Sequence, residues 1–77
     1  LNALVPSLIT FVEYAVQNAP KEGASKNVYR NAAGTAGFLI DRALGNENNI
    51  GANIQQNWND ANMGVIVDII ETWKSNL

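Results

Sequence analysis

The sequence predicts an all-α fold of stacked antiparallel helical hairpins, with three long helices, one short helix and no strand. Three observations predict it. Apolar residues recur at i, i+3, i+4 and i+7 near the beginning, middle and end of the 77-residue chain. Turn residues interrupt that pattern at Pro20–Gly23 and again at Gly45. The central helical stretch carries Ala32, Ala33, Gly34, Ala36 and Gly37 where larger side chains would be expected. Each glycine there costs about 1 kcal/mol relative to alanine in an isolated helix. Close approach of neighbouring backbone offsets that penalty, as in stacked helical repeats.

The first helix is carried by Val5, Leu8, Ile9, Val12, Ala15 and Val16, with Pro6 tolerated in the first turn. Leu4, Phe11 and Tyr14 widen its apolar arc, so this helix needs cover on more than one side. Pro20 ends it, and PKEGAS forms a turn in which Ser25 is the expected N-cap of the next helix.

The second helix is expected from about Lys26 to Leu44. One stripe holds Val28, Ala32, Leu39 and Ala43, and an adjacent one Tyr29, Ala33, Ala36, Ile40 and Leu44. Gly45 stands where a left-handed cap residue belongs, followed by Asn46. Residues 46–64 are rich in asparagine, yet Ile50, Ile54 and Trp58 keep i, i+4, i+8 spacing and predict a short helix. In the last helix Met63, Ile66, Val67, Ile70, Trp73 and Leu77 share a face that Val65 and Ile69 widen. Asp60 is its expected cap, and Lys74 near its end suits the helix dipole.

NAAGTAGFLIDRAL (residues 31–44) resembles the inner helix of armadillo and HEAT repeats, in which an Ala-Ala-Gly core precedes Leu and further apolar residues. LVPSLITFVEYAV resembles the outer helix of such a pair, and NENNIGANI with NMGVIVDIIETW the following turn, short helix and long helix. The spacing of Gly34, Gly37 and Leu39 is also similar to HEAT repeats of the importin-β transport receptors. The resemblance implies a protein-interaction scaffold, or a fragment of a larger solenoid such as a transport receptor. Its inner helix would offer Asn27, Arg30, Asn31 and Arg42 to a partner on a concave surface. Phe38 departs from the pattern, because peptide-binding armadillo repeats carry asparagine there to hold an extended peptide. GASK at residues 23–26 is similar to a turn in small phage-encoded helical proteins, including the soluble parts of holin-like proteins. That resemblance implies a self-contained helical protein that covers its surplus apolar surface as a homodimer.

Composition narrows the function. At 47% hydrophobic and 16% charged residues, the chain can bury a core and has the length of a single domain over residues 1–77. Five scattered Lys and Arg against a net charge of −2 do not provide the converging cations that nucleic acid requires. Cysteine and histidine are absent, which removes thiolate chemistry, zinc-thiolate sites and the commonest acid–base side chain near neutral pH. No apolar run approaches the ~20 residues needed to span a bilayer, and a cytoplasmic location is the expectation.

Other motifs fail on inspection. Gly34-Thr35-Ala36-Gly37 has the GxxG form of an RNA-binding KH loop but lacks basic residues around it. Calcium loops beginning at Asn46 or Asn59 would place Ile50 and Asn57, or Ala61 and Ile70, where oxygen ligands are required. Asp68 and Glu71 could form a carboxylate pair, but Lys74 is spaced to neutralise Glu71 and the pair reads as a solvated face. Trp58 and Trp73 are core residues by size and partner-binding candidates by residue type. The expected function is therefore non-enzymatic and cofactor-free. The partner is a protein or a neighbouring repeat, contacted through Asn27, Arg30, Asn31, Arg42, Trp58 and Trp73.

Overall fold

The computed structural model describes residues 3–45 and 49–77, so the asparagine-rich turn expected at 46–48 lies outside the described residues. Among the described residues four helices pack together: α1 (Val5–Asn18), α2 (Ala24–Ala43), α3 (Ile54–Asn59), which continues a 3-10 turn over Ile50–Asn53, and α4 (Met63–Ser75). No strand occurs among the described residues.

Local chemistry explains where the helices stop. Pro20 forces Ala19 into extended backbone (φ −63°, ψ 136°), which ends α1. Gly45, at φ 109°, receives the end of α2, its N–H donating to the Arg42 carbonyl. The α2 cap is Gly23 rather than Ser25, since the helix already begins at Ala24. The α4 cap is Asn62 rather than Asp60. Asp60 instead closes α3, where its carboxylate accepts hydrogen bonds from Gln56.

The helices form a closed round. α1 packs on α2 and α4, while α3 packs on α2 and α4 from the other side. Inside lie Val5, Ile9 and Val12 of α1, Ala33, Ala36 and Ile40 of α2, Ile54 and Trp58 of α3, and Ile66, Ile70 and Trp73 of α4. Of the two stripes expected on α2, the one through Ala33, Ala36 and Ile40 is buried, whereas Val28 and Leu39 of the other face outward. Glu13 and Lys74 tie α1 to α4 with an ion pair of 2.6 Å. The hydrogen bond that Lys74 donates to the Glu13 carboxylate holds its ammonium above its ordinary pKa.

The small residues of α2 do admit backbone. A β-carbon built at Gly51 would lie 2.5 Å from the carbonyl carbon and oxygen of Gly37. One built at Gly37 would lie 3.2 Å from the Gly51 α-carbon. Two glycines thus face each other where the 3-10 turn crosses α2. Gly34 is different: its neighbour is the side chain of Gln55, an exposed residue.

Beside this crossing sits Asp41. Its sequence setting next to Arg42 suggests an exposed position, yet it is only 3% exposed. Its Oδ2 accepts the Gly51 N–H at 2.5 Å, and its Oδ1 accepts the Trp73 indole N–H at 2.9 Å. The first N–H groups of a helix have no partner inside it. Asp41 supplies one from a different helix and so caps the 3-10 turn from across the core.

Substitutions at these glycines and at Asp41 test this packing. Gly51→Ala drives a methyl into Gly37 backbone and should cost about 3 kcal/mol. Gly34→Ala meets only a movable side chain and should stabilise by up to about 1 kcal/mol. Urea unfolding midpoints of the two variants check the difference in sign. Asp41→Asn places an amide donor against one of two N–H groups and should cost about 2 kcal/mol. Combined with Trp73→Phe, its loss should be less than additive; fully additive losses in the double-mutant cycle would show that the two side chains do not interact.

Candidate functional site

Hollows on the described surface include two of similar size. The first, of about 360 Å³, opens at the end of the bundle where α1 stops and α2 and α4 begin. Its apolar wall comes from Val16, Ala19, Pro20, Trp58 and Met63, and Lys21 and Lys26 also line it. The turn between α3 and α4 shapes one side. There the Asn62 N–H donates to the Asn57 carbonyl and the Ala61 N–H to the Trp58 carbonyl, the paired bonds of a Schellman ending. That ending needs a left-handed residue, and Ala61 takes the position at φ 60° where glycine is usual.

The second hollow, of about 340 Å³, lies between the start of α1 and the end of α2, lined by Leu4, Leu8, Leu39, Arg42 and Ala43. It belongs to a longer apolar surface. Leu4, Leu8 and Phe11 share one flank of α1 at i, i+4, i+7, and Val28, Ala32, Leu39 and Ala43 share the matching flank of α2. Phe11 is 43% exposed, Leu39 46% and Val28 66%.

The residues expected to meet a partner are not gathered in one place. Asn27 and Asn31 are exposed on α2. Arg30 is half-buried, donating through Nη1 to the Asn59 side chain at 2.8 Å and through Nε to Asn31 at 3.1 Å, so it bridges α2 and α3. The Arg42 guanidinium lies 5.5 Å from the centre of the exposed Phe38 ring. Trp73 is 1% exposed and bonded to Asp41, which is a structural role. Trp58 is 2% exposed, and its outer edge forms the floor of the first hollow.

The lysine-lined hollow had no signal in the sequence, because Val16, Lys21, Lys26 and Met63 come from separate segments. A partial signal existed for the α1/α2 face, in the breadth of the apolar arc of α1. Asp68 and Glu71 lie exposed on α4, where Lys74 approaches Glu71 at 3.7 Å. Among the described residues no group of three His, Cys, Asp or Glu side chains could hold a metal ion. No helix among them is long and apolar enough to cross a membrane.

Ala61→Gly removes the left-handed strain and should stabilise the fold by about 1 kcal/mol, raising Tm by several degrees. A thermal melt checks it, and a lowered Tm would mean that the alanine methyl contributes packing worth more than the strain.

Comparison of the chain with protein-family models, with curated proteins and with solved structures finds no match.

Proposed function

We propose that the chain is a non-enzymatic protein-interaction module of the cytoplasm, which seats another helical surface on the apolar face shared by α1 and α2. The observation that carries this reading is the exposure of Leu4, Phe11, Val28 and Leu39 along that face. Large apolar residues grouped on one surface mark interaction sites more often than those scattered singly. In the scaffold form of the proposal, α1 and α2 are one hairpin of an armadillo- or HEAT-type stack, and the face is where the next hairpin lies. Asn27, Asn31 and Arg42 then supply polar contacts beside it.

A second form is favoured by the closed round of helix contacts, in which each helix already has two neighbours. Such a unit holds its own core and would need only a copy of itself to cover the face. The two forms differ in symmetry. Pairing of like faces stops at two copies, whereas stacking of unlike faces continues without closing.

Sedimentation equilibrium of the chain over a wide concentration range tests both. Concentration-dependent association is expected, and Phe11→Ser with Leu39→Ser should weaken it at least about tenfold without loss of helicity. Association that stops at two copies selects the homodimer, and open-ended association selects the stack. A chain that remains monomeric throughout and unfolds cooperatively overturns the proposal.

A further inference from the structure

The cations of this chain are unevenly engaged. Arg30 bonds to Asn59 and Asn31, Arg42 lies over Phe38, and Lys74 pairs with Glu13 and Glu71. The side chains of the remaining two of the five, Lys21 and Lys26, make no hydrogen bond or ion pair with any described residue. Both line the same hollow at one end of the bundle, in a chain whose net charge is −2. The other polar side chain there is Gln17. The acidic residues nearest in sequence do not line it: Glu22 is exposed in the turn, and Asp60 is engaged by Gln56.

Beneath the two ammonium groups the surface is apolar. The Trp58 edge, Val16, Ala19, Pro20 and Met63 form a wall within about 360 Å³, at the small end of the ~300–1,000 Å³ range of ligand pockets. We propose that this hollow binds a small amphipathic anion, with an acidic head between Lys21 and Lys26 and an apolar body laid against Trp58 and Met63. The volume suits a body of roughly eight to ten carbons. Each part of the site fixes one part of the ligand. A free cation pair selects a negative head, since a neutral head would gain nothing from it. The apolar wall selects a hydrocarbon or aromatic body, since a bare inorganic anion would leave that wall in water. The hollow is separate from the α1/α2 face, so this inference stands or falls apart from the proposed partner surface.

Decanoate is the probe, kept below its micelle concentration, with decanol as the neutral counterpart and acetate as the head alone. Amide and indole resonances of the ¹⁵N-labelled chain report the position of binding, because Trp58 and Trp73 give separate indole signals. Decanoate should saturably shift the Trp58 indole and the Ala61 and Met63 amides, with a dissociation constant of order 0.1–1 mM. Decanol and acetate should each bind at least about fivefold more weakly. Lys21→Gln combined with Lys26→Gln should weaken decanoate by about fivefold while leaving decanol unchanged. Neither lysine side chain has a bonded partner among the described residues, so the variant should retain its melting temperature. Equal binding of decanol and decanoate, no effect of the lysine substitutions, or shifts confined to Leu8, Leu39 and Ala43 would each overturn the proposal.

Discussion

The carboxylate of Asp41 holds together three segments that are far apart in the chain. It stands on α2, accepts a backbone N–H from the 3-10 turn and accepts the indole N–H of α4. A buried carboxylate left without such donors would be strongly destabilising. Both bonds therefore constrain where the turn and α4 can lie. The Gly51 bond is reached only because Gly37 and Gly51 lack side chains and let two backbones meet. The glycines and the carboxylate are one device, in which close approach brings the donor to the acceptor and the acceptor keeps the approach in register.

That device explains how a helix as short as α3 persists. Six residues are too few for a stable helix in water, and this one has no side-chain cap of its own. Its order comes from the 3-10 turn that Asp41 caps and from Ile54 and Trp58, which are both buried against the other helices. With α3 fixed, Arg30 can reach Asn59, and the Schellman ending at Ala61 can turn the chain into α4. The lysine-lined hollow is what remains at that end of the bundle, between the end of α1 and the turn that leads into α4, with the buried Trp58 in its lining.

Much of this was legible in the residues, because helical periodicity is a local property. The stripes Val5-Ile9-Val12 and Ile66-Ile70-Trp73 name core residues directly, and the prolines and Gly45 mark the breaks. The side-chain-poor centre of α2 also announced a close contact. It could not say that Gly51 would provide the other backbone, since that pairing joins residues from different elements. Asp41 misled for a related reason. A carboxylate beside an arginine reads as surface, and only the donors brought from Gly51 and Trp73 make burial tolerable. Ser25 and Asp60 were plausible caps by type, but the caps went to Gly23 and Asn62, where the backbone had already turned. The candidate contact residues Asn27, Arg30, Asn31 and Arg42 all belong to one helix, and Trp58 and Trp73 stand out by size alone. The hollow drew instead on four separate segments, which no local pattern can assemble.

The seams between helices are not held in the same way. Glu13 and Lys74 join α1 to α4 by charge, and Arg30 and Asn59 join α2 to α3 by a hydrogen bond. Asp41 and Trp73 join α2 to α4. Among the described residues no ion pair or side-chain hydrogen bond joins α1 to α2. That seam rests on apolar contact and on the small residues that let the helices lie close. Polar pairs at a rim fix geometry while presenting charge to water, whereas an apolar rim continues the character of the core outward. Leu4, Phe11, Val28 and Leu39 are that continuation. Under the proposed partner reading, a surface laid over them would enlarge an existing core without displacing any side-chain polar bond between α1 and α2.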